Sequence, residues 1–216
     1  MTFPNKSPLI DSALEAQLST LLHRLTGDVE LICIAGDDAR SREMGGFLKH
    51  IVSLSPRLRV RFLSPGEDPE LDDQLDASLL PATGVGGPVP RMIFHGIPGG
   101  KEITAFAAAI LNAGGGAKGL NWFVKKDIER LSAPMVVQVC VSLACHHCSQ
   151  LVIHAQRIAW ENPMVTAHMI DASLYPELAA ALRLERVPLT VVNGKQQFPG
   201  GKTMVELTAL LRRSGS

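Results

Sequence analysis

The sequence predicts an α/β protein built from two fused copies of one unit, each a central mixed sheet flanked by helices. Three observations predict it. Apolar, strand-like runs alternate with helix-period segments along the whole chain. The pattern Val-Pro-x-x-apolar-apolar-x-Gly occurs twice, as Val89-Pro90-Arg91-Met92-Ile93-Phe94-His95-Gly96 and as Val187-Pro188-Leu189-Thr190-Val191-Val192-Asn193-Gly194. A shift of 107 positions lays Cys33 on Cys140, Pro56 on Pro163, and Asp38 and Ser41 on Cys145 and Cys148 without a gap. The Val-Pro motifs match at a shift of 98, and Gly99-Gly100-Lys101 matches Gly200-Gly201-Lys202 at 101, so the offset drifts through loop insertions. Two βαβαββα units follow, residues 1–116 and 117–216.

The elements are expected in that order. Ser12-Ala13-Leu14-Glu15 reads as a capping box, and Leu14, Leu18, Leu21, Leu22 and Leu25 keep helical spacing before Gly27. Residues 29–34 read as a buried strand, 37–54 as a helix and 58–63 as a strand with alternating Arg59 and Arg61. Residues 64–88 are acidic and then rich in Gly and Pro, the composition of an exposed insertion or mobile loop. A strand over 91–95 and a helix over 102–112 follow, closed by Gly114-Gly115-Gly116 as a hinge, then a helix over 120–131. The order restarts with strand 135–141, helix 145–160, strand 165–170 and helix 174–184. Strands 189–192 and 195–198 form a hairpin across Asn193-Gly194, and the last helix covers 203–212.

Composition narrows the function. The 216 residues leave room for two small domains, and 46% hydrophobic content with mean hydropathy +0.15 supports a real core. Twenty-one basic residues balance twenty-one acidic ones and no basic stripe stands out, so neither nucleic acid nor an anionic membrane is expected as a partner. The first ten residues hold no apolar stretch suited to a signal peptide, and the alanine-rich run 103–111 is too short to span a bilayer. A cytoplasmic location is expected, where a close Cys pair is catalytic or metal-binding rather than a structural staple.

That pair is Cys145-His146-His147-Cys148, at a strand-to-helix junction. Two cysteines three apart on a first helical turn can reach disulfide geometry. The helix N-terminus favours thiolate, and the flanking imidazoles of His146 and His147 add positive charge or hydrogen bonds. The more exposed first cysteine, Cys145, reads as the nucleophile, with Cys148 resolving the mixed disulfide. Pro188, opening a strand downstream, leaves the backbone of Val187 to pair with a partner's extended segment. Pro90 would repeat that geometry without a redox pair, or simply open an edge strand. The competing reading is zinc, but Cys33 and Cys140 lie inside strands and adjacent His146 and His147 do not readily share one tetrahedron, so no metal is assigned. The strand before the cysteines carries Gln138 but no carboxylate, so a base for Cys148 must come from elsewhere. Glu102 is either such a group or a helix N-terminal acid.

Ser142-Leu143-Ala144-Cys145-His146-His147-Cys148, with Val187-Pro188-Leu189-Thr190-Val191-Val192-Asn193-Gly194-Lys195, resembles the N-terminal domain of the flavoprotein subunit of bacterial alkyl hydroperoxide reductase over about residues 12–213. The resemblance implies two fused thioredoxin-like folds of which only the second keeps its cysteines. It implies a thiol–disulfide oxidoreductase that relays electrons from a flavin-linked dithiol reductase to a peroxiredoxin disulfide. Cys145 and Cys148 would be the carrier pair, and Glu102 matches an acid that the first fold places near it.

Departures accompany it. Ser149 stands where the family has Pro, and residues 64–88 form a longer loop. No strand-turn-helix carries Gly-x-Gly-x-x-Gly, and Gly84-Val85-Gly86-Gly87 reads as a loop. No cofactor is therefore expected in this chain. FAD and NADH would belong to a separate or missing reductase domain, the chain being either an excised domain or a standalone relative. The alternatives are a general protein disulfide oxidoreductase or glutaredoxin-like reductase, and a non-redox binding adaptor that uses the Val-Pro surfaces.

Overall fold

The computed structural model describes residues 2–215. The chain runs α1 (Ser12–Leu22), β1 (Val29–Ile34), α2 (Ala39–Ser53), β2 (Leu58–Leu63), α3 (Pro69–Gln74), β3 (Ala82–Val85), β4 (Met92–His95) and α4 (Ile103–Ala113). It continues α5 (Trp122–Glu129), β5 (Met135–Val141), α6 (Cys148–Glu161), β6 (Val165–Asp171), α7 (Pro176–Ala181), β7 (Leu189–Val192), β8 (Gln196–Pro199) and α8 (Met204–Ser214). The eight strands form one sheet in the order β2-β1-β3-β4-β6-β5-β7-β8. Each half contributes four strands, and parallel pairing of β4 with β6 joins them. The core is continuous across that seam, from Leu31, Phe47 and Phe106 to Val139, Leu151 and Leu207.

Residues 64–88 are not a loop. They contain α3 and the fully buried strand β3, which lies between β1 and β4. Only four residues long, with the poor strand formers Ala82 and Gly84 in it and Pro and Gly on either side, β3 is hidden by local composition and imposed by tertiary pairing. Gly84 shows why it is built this way: a Cβ there would overlap the ring of Pro90. Gly84→Ala is expected to cost about 1–3 kcal/mol through overpacking, read as a lowered urea midpoint at unchanged slope.

This strand corrects the repeat. β3 pairs antiparallel with β1 and β4, as β7 pairs with β5 and β8. Pro81, ahead of β3, is therefore the counterpart of Pro188, at the constant shift of 107; both the Leu80-Pro81 and Val187-Pro188 bonds are cis. The same shift superposes Pro69-Glu70-Leu71 of α3 on Pro176-Glu177-Leu178 of α7, and left-handed Asp76 (φ 53°) on Arg183 (φ 49°). Pro90 instead sits in the longer β3–β4 connection, where its carbonyl accepts from Gln74 Nε2 at 2.9 Å. The Val89-Pro90 motif owes its likeness to chance.

A second correction concerns the cysteines in the strands. Val29 stands opposite Leu58, whereas Met135 stands opposite Val165, so β1 and β5 correspond at a shift of 106. Cys33 thus matches Val139 in the main core, and Cys140 matches Ile34 on the other face of the sheet. The two cysteines are not equivalent.

Smaller departures have local causes. Asp11, not Ser12, caps α1, its carboxylate accepting from Leu14 N at 2.8 Å. The three glycines after α4 are no hinge, because the Gly114 carbonyl accepts from the N–H groups of Thr26 and Gly27 (2.9 and 3.0 Å) and the Gly116 carbonyl from Arg24. The Asn193-Gly194 hairpin forms as expected, with both residues left-handed (φ 52° and 66°).

The seam holds a buried histidine pair. His95 Nδ1 donates to the Leu79 carbonyl at 2.8 Å, so its Nε2 accepts from His168 Nδ1 at 2.9 Å. Burial lowers both imidazole pKa values, that of His168 to about 3 with His95 adding to the effect, and the pair stays neutral.

Candidate active site

The site is built where β5 ends. Strand β5 stops at Val141, a turn carries the chain to Cys145, and α6 begins at Cys148 rather than at Cys145. Cys145 therefore lies off the helix end, its N–H donating to the Ser142 carbonyl at 2.9 Å. The two cysteines are joined as a disulfide with Cα atoms 5.5 Å apart. Cys148 is fully buried, while Cys145 is half-buried and His146 and His147 are exposed. Attack from outside can reach only the first sulfur.

The end of α6 is open to an anion. Its N-cap, His147, makes no side-chain capping hydrogen bond. Reduction of the disulfide would therefore leave first-turn N–H groups available to the Cys145 thiolate. The first half shows the same position occupied by a permanent anion. Asp38, the counterpart of Cys145, accepts from Arg40 N at 2.8 Å, Ser41 N at 3.1 Å and Ser41 Oγ at 2.8 Å. Slight burial pushes that carboxyl up, and the bonds from Ser41 and Arg40 outweigh it and hold it below the usual carboxylate range. A fixed carboxylate has replaced a switchable thiolate.

Two strands flank the cysteine turn. Cys140 pairs with Leu189, so continuing that register sets Pro188 level with Val141 and Val187 level with Ser142. The Pro188 carbonyl accepts from Gly200 N at 2.9 Å, whereas among the described residues the backbone of Val187 makes no hydrogen bond. On the other side Val141 pairs with Asp171, the buried last residue of β6.

Glu102 reaches this region from the first half, in a short 3₁₀ turn (Gly100–Glu102) packed on α6. Lys101 N donates to the Leu143 carbonyl at 3.3 Å, and Gly100 is left-handed (φ 54°) with no room for a Cβ, which would meet the Leu143 oxygen at 2.9 Å. The carboxyl of Glu102 is 0% exposed, and among the described residues neither oxygen has a hydrogen-bond partner. Burial, with Asp171 adding to it, raises its pKa to about 7. An unpaired buried carboxyl is costly and persists where it has a task. Sequence reasoning misses Asp171 and Leu143; the Asp171-Ala172-Ser173 turn, in which Asp171 accepts from Ser173 N and Oγ, is the available signal.

The remaining cysteines are inert. Burial lifts Cys33 to about 12 and Cys140 to about 11.

A half-buried and a buried cysteine paired at an uncapped helix start, beside a strand-opening proline preceded by the unbonded backbone of Val187, on fused thioredoxin-like folds, define a thiol–disulfide oxidoreductase. Residues 135–212 match the family described as Thioredoxin domain. The crystallised N-terminal domain of the alkylhydroperoxide reductase AhpF from Enterococcus faecalis is 30% identical, with TM-score 0.88 over 93% of this chain and 99% of that one. The corresponding alkyl hydroperoxide reductase protein of Staphylococcus aureus (strain NCTC 8325) is 27% identical over 203 residues, which is 94% of this chain but 38% of that protein. A protein disulfide oxidoreductase from Aeropyrum pernix shares the fold, with TM-score 0.85 at 18% identity over 95% of this chain and 94% of that one. The chain belongs to the family of AhpF N-terminal domains, and spans 34–38% of the length of the curated relatives that it matches. Among the described residues no helix is long and apolar enough to cross a membrane.

Proposed function

We propose that this chain relays two electrons at a time from a flavin-linked dithiol to the disulfide of a peroxiredoxin, in the cytoplasm. The observation that carries the reading is the asymmetric Cys145–Cys148 pair beside Val187 and Pro188. In the reduced form the Cys145 thiolate attacks one sulfur of the partner disulfide, and the other partner sulfur leaves as thiolate. Cys148 then gives up its proton, for which the Glu102 carboxylate is the base, and attacks the Cys145 sulfur. The second partner sulfur is released, the partner is reduced and the Cys145–Cys148 disulfide is restored. An external dithiol reduces it again by the reverse exchange.

Val187 offers its backbone to the partner's extended segment, while His146 and His147 border the approach. Residues 1–116 are the unit without the redox cysteine pair and 117–216 the unit that works. FAD and NADH belong, in this reading, to a reductase domain outside residues 1–216, and no metal takes part. The test reconstitutes the relay from NADH, an AhpF flavoprotein lacking its own N-terminal domain, this chain and a peroxiredoxin with its peroxide. Peroxide-dependent NADH oxidation that requires this chain is expected. Efficient insulin reduction without peroxiredoxin turnover would instead favour a general disulfide reductase.

A further inference from the structure

Beside the cysteine turn a groove of about 170 Å³ opens at the seam between the halves. Its walls are mostly apolar: Leu9, Pro81, Ile97, Leu143 and Leu174. It sits past the carboxyl ends of β4 and β6, the two strands that join the halves, where open α/β sheets commonly bind ligands. Leu143 is shared with the redox turn, and two residues of extended chain span at most about 7 Å, so the groove lies within a short peptide's reach of Cys145.

We propose that this groove is a specificity subsite. It receives an apolar side chain two or three residues from the disulfide cysteine of the partner's extended segment. The assignment rests on the disulfide-oxidoreductase reading of Cys145, and three observations carry it. First, the groove is preformed. Arg40 Nη1 donates to the Leu174 carbonyl at 3.1 Å, which ties its second-half wall to α2. Second, Leu9 on its rim is 42% exposed, an apolar side chain left for something to cover. Third, the first half offers no competing place for the peptide backbone. The Tyr175 hydroxyl donates to the carbonyls of Leu79 and Leu80 (3.2 and 3.1 Å), and Leu80 is the residue ahead of Pro81. Among the described residues the backbone of the equivalent Val187 has no partner, so the peptide backbone pairs there and only a side chain enters the groove. Arg40, Glu43 and Asp171 also line it, two acids to one base, so the groove does not favour an acidic side chain.

The test uses the full chain, pre-reduced and freed of reductant, and two synthetic cysteine peptides capped as mixed disulfides with nitrothiobenzoate. One peptide carries Leu two residues from its cysteine, the other Ser. Attack by Cys145 on the peptide sulfur releases nitrothiobenzoate, and attack by Cys148 then releases the peptide thiol. The leucine peptide is expected to react about tenfold faster, the low end of what one apolar side chain contributes in a pocket. Leu9→Asp and Leu174→Asp are each expected to bring the ratio close to one, while Val205→Asp, on exposed surface of α8, keeps the wild-type ratio. A wild-type ratio near one, a ratio that survives both groove variants, or equal slowing of both peptides would overturn the subsite. A retained preference in a chain that fails to reduce a peroxiredoxin would leave the groove standing and retire the relay reading.

Discussion

Cys145→Ser should abolish disulfide transfer, with a loss on the order of 10³-fold or more, because a serine hydroxyl stays protonated where a thiolate is needed. Cys148→Ser should behave differently. Its Cys145 can still attack, but nothing resolves the product, so a mixed disulfide with the partner accumulates and survives non-reducing electrophoresis. The asymmetry follows from burial. Cys148 is 0% exposed and cannot take over the attack, whereas Cys145 is reachable. Cys33→Ser should retain transfer, since that thiol is buried and its pKa is pushed up to about 12. Equal loss from Cys33→Ser and Cys145→Ser, or a Cys148→Ser protein that turns over normally, would refute the assignment of nucleophile and resolver.

The redox half is legible because its chemistry is local. A Cys-x-x-Cys between an apolar run and a helical period needs only neighbours in sequence, and so does a strand-opening proline. The first half is harder to read, since its landmarks have drifted. Asp38 and Ser41 look like an ordinary helix cap until they are set beside Cys145 and Cys148. Strand β3 contains Ala82, Thr83, Gly84 and Val85, and only its position between β1 and β4 makes it a strand. A motif match of eight residues around Pro90 then outweighs the constant spacing of 107 that Pro69, Pro81 and Asp76 all obey.

Register is hidden for the same reason. Whether Cys33 matches Cys140 or Val139 depends on which residues of β2 and β6 stand opposite, and one position decides which face of the sheet a side chain takes. Long-range contacts lie out of reach altogether. The Lys101–Leu143 hydrogen bond, the Tyr175 hydroxyl on Leu80 and the His95–His168 pair each join residues 42 to 95 positions apart. These contacts bring the first half's Glu102 turn against the redox turn. In the proposed relay, the half without a cysteine pair thereby takes part in the chemistry of its neighbour.

Glu102→Gln is expected to move stability by about 3 kcal/mol in a pH-dependent way. The carboxyl has a folded pKa of about 7 against 4.5 for an unperturbed glutamate, a gap equivalent to about 3 kcal/mol. Below pH 4.5 both the native and the unfolded chain hold the proton, and the native state keeps its full stability. Between 4.5 and 7 the native state holds a proton that the unfolded chain has released, so stability falls as pH rises, and above 7 it stays at the lower level. The variant cannot ionise there and lacks this decline. The His95–His168 pair acts with the opposite sign, losing stability as pH falls below 6.5, but it does so in both proteins and cancels in the difference. Urea unfolding of the oxidised forms at pH 4.5 and pH 8 should therefore show the variant gaining about 3 kcal/mol on wild type between the two. The same substitution should slow resolution of the mixed disulfide by about 10²-fold and flatten its rise with pH near 7, because in the proposed relay Glu102 is the base that takes the Cys148 proton. A stability difference that does not change with pH would mean that Glu102 ionises like an ordinary surface acid. The buried proton acceptor would then have to be sought elsewhere.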